Sequence, residues 1–308
     1  MTMTQTIPDP DPAMLLLYEE FVVERHKIWE RRQRGWPQPW TMDPVLGCKK
    51  FTNDFRILDT GSQFLFTMLE DNGEDPKPAD ADLLMRAWLY RFTNRPEPWQ
   101  WFRRNMFRWP ILADLYDGTL QAKWQHYRKS APLFGNAYAI VGGTKRGDDK
   151  LDWILRLAKD ALKFAPIRGG QSTEYRVGAF QRVRGCSGFL AMQIATDLSY
   201  TTRMQASENS FVTYGPGSLR GARLLWPGVS PRAVAECIGW LTAWWWGNPD
   251  APTLPLWGGR RHQLSLMDVQ NTLCEFDKRW RWRDADITHD YKPAYPGPKS
   301  QPMLPKHW

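Results

Sequence analysis

A chain of 308 residues and 35.9 kDa can bury one large core or two modest ones, so nothing in it demands a metal or disulfide staple. Its four cysteines, Cys48, Cys186, Cys237 and Cys274, are far apart, with no CxxC pair and no Cys/His cluster at zinc spacing. The longest strongly apolar run, Ile238 to Trp246, is too short to cross a bilayer, and no signal-peptide pattern opens the chain, so the expectation is a reduced, soluble, cytoplasmic protein without a membrane partner. With 41 Lys and Arg against 33 Asp and Glu, the net charge of +8 favours a polyanionic partner.

In chain order, residues 1–12, with Pro8, Pro10 and Pro12, read as a disordered lead-in. Apolar positions at helical spacing, Leu17, Phe21 and Ile28 among them, predict a helix from Ala13 to about Arg34, stopped by Gly35. Cys48 to Leu69 reads as a second helix, apolar nearly all round and capped by Asn53, as a buried helix would be. After an acidic, proline-containing loop from Glu70 to Asp82, helices are predicted over 82–93, 96–107 and 110–129. The glycine-bracketed run Leu133 to Gly143 reads as irregular or short extended structure, and Asp148 opens a helix to about Phe164.

Helix 174–184, the turn Gly185-Cys-Ser-Gly188 and helix 189–200 have the outline of a helix-hairpin-helix, whose turn can offer backbone N–H groups to a DNA phosphate. Tyr214 to Arg223 reads as a second glycine-rich turn, in which Gly215, Gly217, Arg220 and Arg223 suit phosphate. It does not fit GxxxxGK[ST], and neither does any other stretch, which disfavours a P-loop kinase. Ser230-Pro231 starts an apolar helix to Trp246, Asn248 to Gly259 is a loop, and a helix over 265–283 precedes a proline-rich tail, 284–308. With no strand-periodic stretch, the chain reads as all-α, with 13–283 a single helical domain or two lobes.

The helix over 265–283 organises the rest. Ser265 and Asp268 form an approximate capping box, and Leu266, Val269, Leu273, Phe276 and Trp280 make a core stripe. Opposite them stand Asn271, Glu275 and Lys278, an amide, an acid and a base; the plainest use of that face is a solvated Glu-Lys pair at i,i+3. Two more polar strips interrupt apolar helices. Arg56, Asp59 and Gln63 share a face if 48–69 is helical, with an Arg56–Asp59 salt bridge as the structural alternative to a site. Phe189, Gln193 and Asp197 share another, where Asp197 can equally cap or pair locally. Arginines interleaved with aromatic rings, as at Arg31 to Trp36, Trp101 to Trp109 and Arg279 to Arg283, suit single-stranded or flipped nucleotides, although each cluster is also consistent with solubilising arginines beside core tryptophans.

Five stretches, FTNDFRILDTGSQFL (51–65), YRFTNRPEPW (90–99), GFLAMQIATDLSY (188–200), YGPGSLRGARLLW (214–226) and LSLMDVQNTLCEFDKRWR (264–281), resemble the α-glutamyl/putrescinyl thymine pyrophosphorylase family of phage thymidine hypermodification. Related helical domains accompany 5-hydroxymethyluracil DNA kinases. The LCEFDK piece is the most specific; the hairpin turn has one more residue between its glycines than is usual, and Asp59-Thr60-Gly61 puts a glycine inside the predicted helix. The resemblance implies a helix-hairpin-helix DNA-glycosylase-like fold, and the host cytoplasm as location if the chain is phage-encoded. It also implies an activity, in which a phosphorylated or pyrophosphorylated 5-hydroxymethyluracil leaves the DNA stack and an amine or amino acid replaces its phosphate or diphosphate.

On that reading Arg56 and Lys278 balance the leaving group, Asp59, Asp197 or Glu275 accepts the amine's proton, and Asn53, Gln63, Gln193 and Asn271, with Phe189, bind the pyrimidine. The partners are DNA containing modified thymine, a small amine or amino-acid donor and a 5-hydroxymethyluracil DNA kinase. No cofactor is evident; a magnesium ion, if used, would be held through the substrate's phosphates. Two other classes compete. A non-catalytic base-flipping module would need the basic and aromatic surface but not the acids, and a DNA glycosylase would rely on Asp197 and give abasic sites.

Overall fold

The computed structural model describes residues 7–70, 73, 77–135, 149–164, 167–249, 251–252, 254–255, 263–284 and 301–306. Its helices, in chain order, are α1 (Pro12–Gln33), α2 (Pro44–Cys48), α3 (Thr60–Leu69), α4 (Asp80–Thr93), α5 (Pro96–Met106), α6 (Leu112–Tyr116), α7 (Thr119–Tyr127), α8 (Lys150–Phe164), α9 (Thr173–Phe180), α10 (Gly188–Ser199), α11 (Pro216–Leu225), α12 (Val234–Gly247) and α13 (Leu266–Trp282). Short 3-10 turns occupy Arg56–Leu58 and Pro231–Ala233, and among the described residues there is no β-strand, so the fold is all-α. None of these helices is long and apolar enough to cross a membrane. Two compact units divide the chain, one made of Met1–Asp59 and Phe211–Pro302, the other of Thr60–Ser210 and Met303–Trp308. The predicted stretches 1–6, 136–148, 256–262 and 285–300 lie outside the described residues.

The first unit is built on α1, α11, α12 and α13. The lead-in is shorter than the prolines suggest: Asp11 caps α1 by accepting from the N–H groups of Ala13 and Met14, and Pro12 supplies a preset first helical position. Tyr18 and Phe21 of α1 pack on Phe276 of α13 at ring distances of 5.5 and 5.7 Å, and the Tyr18 hydroxyl meets Thr272 Oγ1 at 2.6 Å. Burying rings of this size stabilises by about 1.5 to 3 kcal/mol each. At the start of α13 the capping box forms as expected: Ser265 Oγ accepts from the Asp268 N–H (3.1 Å), and Asp268 Oδ2 accepts from the Ser265 N–H (3.0 Å).

Two sequence expectations fail in this unit. Cys48 to Leu69 is not one helix: α2 ends at Cys48, an extended loop runs to Phe55, the 3-10 turn follows, and α3 begins after Asp59. Asn53 is therefore a loop residue and not a helix cap, and Arg56, Asp59 and Gln63 share no helical face. The stretch read as a phosphate-cradling glycine turn is α11. Pro216 takes the first helical position, and Gly217 and Gly221 serve close packing against α13. A Cβ on Gly221 would sit 2.1 Å from the Leu273 carbonyl oxygen, and one on Gly217 would sit 2.2 Å from Cys274 Sγ.

The second unit is organised around α4, in which every residue from Asp82 to Thr93 is buried. Trp88 packs edge-on against Phe180, and Trp99 packs against Trp124 at 5.1 Å while donating its Nε1–H to Thr93 Oγ1 (3.0 Å). The helix expected over 110–129 is two helices, because Gly118 adopts φ +87 and reverses the chain between α6 and α7. The helix expected over 174–184 ends at Phe180; a turn holding Gly185 (φ +93) follows, and α10 begins at Gly188, capped by Ser187. Gln63 pairs both ways with the backbone of Met303, at 2.8 and 2.7 Å.

Inside this unit Asp197 is held on both carboxylate oxygens by Arg91, through Nε and Nη2, the latter at 2.5 Å, with both side chains almost wholly buried. Removing one partner of a buried bidentate pair strands the other charge. Asp197→Ala is therefore expected to lower stability by about 3 to 5 kcal/mol, and the double change with Arg91→Met to recover most of it, as thermal unfolding would read.

Candidate functional site

In the first unit the loop from Lys49 to Asp59 is fastened to α1 and α13 by side chains, and its polar groups face one another. The Arg25 guanidinium, on the core stripe of α1, donates to the Phe51 carbonyl and to Asn53 Oδ1, both at 3.0 Å. Asn53 Nδ2 donates to the Leu58 carbonyl (2.8 Å), and the Asn53 N–H donates to Asp59 Oδ1 (2.7 Å). From α13, Asn271 Nδ2 donates to Thr52 Oγ1 and to the Asn53 carbonyl at 3.0 Å, Glu275 Oε2 accepts from the Thr52 N–H at 3.1 Å, and Lys278 Nζ donates to the Lys50 carbonyl. Lys278 also lies 3.4 Å from Glu275 and 4.6 Å from the centre of the Phe51 ring. The pairing expected of a solvated face is present, and the same residues hold the loop.

Beneath the loop sits a group of buried acids. Asp268 uses its second oxygen, Oδ1, to accept from the Arg56 N–H at 2.8 Å, so the carboxylate that caps α13 also fixes the 3-10 turn. Burial pushes its carboxyl up to about 6, against the hydrogen bonds from Arg56 and Ser265. Asp59 lies in the same group, and although the residue as a whole is only half-buried, desolvation of its carboxyl lifts it to about 6 against the Asn53 N–H and the charges of Arg25 and Arg56. Asp54 is 2% exposed, and burial raises its carboxyl well above its ordinary value of 3.8 despite Arg25.

His26, beside Asp54, accounts for part of that arrangement. Its Nε2 meets the Pro255 carbonyl at 2.8 Å, which requires that nitrogen to carry the proton and turns a bare Nδ1 toward Asp54 Oδ2 at 3.8 Å. Burial lowers the imidazole to about 4, so near neutral pH it carries no charge to offset that of Asp54.

Of the residues singled out by sequence, Asn53, Arg56, Asp59, Asn271, Glu275 and Lys278 come together in the first unit. Gln63, Gln193 and Asp197 belong to the second, where both oxygens of Asp197 are taken by Arg91; Gln193 is buried on the same helix and Phe189 is partly exposed near its start. Gly217 is buried against Cys274, Gly215 precedes α11, Arg220 is half-exposed and bound to Asp277 at 2.9 Å, and Arg223 donates to the Val229 carbonyl. Sequence reasoning missed Arg25, His26, Asp54 and the second role of Asp268. The available signal was the polar pair Arg25-His26 standing on the core stripe of α1, at spacings shared with Tyr18, Phe21, Val22 and Ile28. Among the described residues no group of three or more His, Cys, Asp or Glu is placed to hold a metal.

A family model described as "5-hmdU DNA kinase, helical domain" matches residues 13–289. A protein of Bacillus phage SP10 named 5-hmdU DNA kinase is 21% identical over 314 residues, covering 92% of this chain and 48% of its own length, so the chain spans about half of that relative. No solved structure matches.

Proposed function

Since the chain belongs to the family of 5-hmdU DNA kinase helical domains, we propose that it works on 5-hydroxymethyluracil in DNA, as part of a phage base-modification route, and that its chemistry is substitution at the exocyclic carbon of that base. The observation that carries the proposal is Asp59. Its carboxyl is raised to about 6 by burial, on a loop whose backbone is pinned by Asn271, Glu275 and Lys278. A base poised just below neutral pH is mostly ionised in the cell and still accepts a proton with useful driving force.

In this mechanism the modified base swings out of the stack, and the nitrogen of an amine or amino acid attacks the exocyclic CH2. The C–O bond to the phosphate or diphosphate breaks with its electron pair leaving on oxygen, the new C–N bond forms, and the proton lost from nitrogen passes to Asp59. Lys278, about a third exposed, and Arg56 supply the positive charge that offsets the departing phosphate. The helix-hairpin-helix likeness of α9 and α10 adds a backbone contact to DNA phosphate at Gly185 and Gly188 on this reading. Resemblance to the thymine pyrophosphorylases is what names the amine; a magnesium ion carried by the phosphates would assist the same charge balance.

A second reading is favoured by one observation: Asn271, Glu275 and Lys278 all bond the loop backbone, as they would in a module that only presents DNA to a catalytic partner. Intact-nucleoside mass spectrometry separates the two. Duplex DNA containing phosphorylated and pyrophosphorylated 5-hydroxymethyluracil is incubated with the chain and a pool of amines and amino acids. An adduct mass is the outcome expected of the transferase, unchanged nucleosides with tight DNA binding would identify the module, and abasic sites would identify a glycosylase.

A further inference from the structure

Phe107 is the most exposed large hydrophobic side chain among the described residues, at 92%. It ends α5 in the left-handed region (φ 56, ψ 15), which glycine enters freely and a bulky L residue does not. The same unit ends α4 with Asn94 at φ 45, the residue type suited to that position. Among the described residues nothing covers the Phe107 ring, so neither their packing nor the backbone conformation accounts for a phenylalanine there.

What surrounds it is rigid and basic. On its C-terminal side Arg108 is bound bidentate to Asp114, at 2.6 and 2.8 Å, Trp109 is buried, and the Pro110 carbonyl accepts from Arg86 Nε at 2.8 Å. On its N-terminal side Arg103 and Arg104 occupy the exposed last turn of α5, with the Arg103 guanidinium 4.7 Å from the centre of the Trp109 ring. No acidic residue occurs between Glu97 and Asp114. An aromatic ring held out on a braced turn, with the exposed Arg103 and Arg104 one turn before it, has the chemistry of a side chain that enters a base stack while its neighbours contact phosphates.

We infer that Phe107 is a wedge that inserts between the base pairs of duplex DNA, with Arg103 and Arg104 on the flanking phosphates. The inference rests on the DNA-acting reading only in taking DNA as the partner; it is independent of the chemistry assigned to Asp59. Insertion unstacks the step it enters and lowers the cost of extruding a neighbouring base.

The test uses the full chain with duplexes carrying 2-aminopurine at successive positions, reading its fluorescence as unstacking and reading affinity by anisotropy. The parent is expected to bind and to brighten 2-aminopurine at one step. Phe107→Ala should lose that brightening and bind about 10-fold more weakly, with an unchanged or higher Tm; Phe107→Trp should retain both properties. Arg103→Ala and Arg104→Ala should each flatten the salt dependence of binding by roughly one phosphate contact. Phe107→Ala with parental brightening and affinity would overturn the wedge and point to a protein partner for this tip, while leaving the DNA-acting reading intact. A parent that binds no duplex would overturn both.

Discussion

Asp59→Asn is expected to suppress amine-adduct formation by about 100- to 10,000-fold, the usual worth of a positioned general base, while making the protein more stable at neutral pH. The two effects have one cause. The folded-state carboxyl sits at about 6, above its ordinary value of 3.8, so the fold favours the protonated form. The stability that follows from this is present at low pH and is lost as pH rises through about 6, where the parent must bury a charge. Asparagine keeps the acceptor for the Asn53 N–H and never ionises. Thermal unfolding of parent and variant should therefore nearly coincide at pH 4 and separate in favour of the variant as pH rises through 6. His26, lowered to about 4, acts with the opposite sign, since its stability is lost as pH falls from 6.5 toward 4, but it is present in both proteins and cancels in the comparison. A variant that retains full activity would remove Asp59 from the mechanism, and one less stable at neutral pH would show that the fold needs the charge.

A large effect of purely steric origin is expected at Gly221. A methyl there would meet the Leu273 carbonyl oxygen at 2.1 Å, and because that atom belongs to the backbone of α13, relief requires α11 and α13 to part. Gly221→Ala should cost about 3 kcal/mol or more, at the upper end for overpacking, and it should loosen the loop that Asn271, Glu275 and Lys278 hold from the same helix. Gly239→Ala in α12 provides the contrast. Nothing lies within 4 Å of its Cβ position, so the gain in helix propensity should stabilise by up to about 1 kcal/mol. Denaturant unfolding of the two variants measures both signs in one unit.

α13 was readable in detail because each signal agreed: a capping box, a core stripe at period 3.6 and a compact polar face. What that polar face touches was not readable. Its partners are backbone groups of Lys50, Thr52 and Asn53, and backbone groups leave no mark in composition. The loop itself was mistaken for helix for a related reason. A segment folded back into a core is apolar on all sides, as a buried helix is, so periodicity does not distinguish them. The informative residues were Asp59-Thr60-Gly61, which break a helix from Cys48 but make good sense at the start of one. In α11 the glycines dominated the reading, although Pro216 marked a helix start and Gly217 and Gly221, four apart, fall on one face.

The inserted arrangement of the chain, in which residues 60–210 separate the two stretches of the first unit, bears on how the protein is made. Helices α3 to α10 emerge from the ribosome in unbroken succession and can pack as they appear. By contrast, α1 and the loop carrying Asp54 and Asp59 are translated early and wait, without Asp268, Asn271 or Glu275, until α13 has followed them. Through that interval their acids stay hydrated and ionised, with ordinary proton affinities. The raised affinity of Asp59 is therefore acquired late in biogenesis, when the two distant stretches of the chain close on each other.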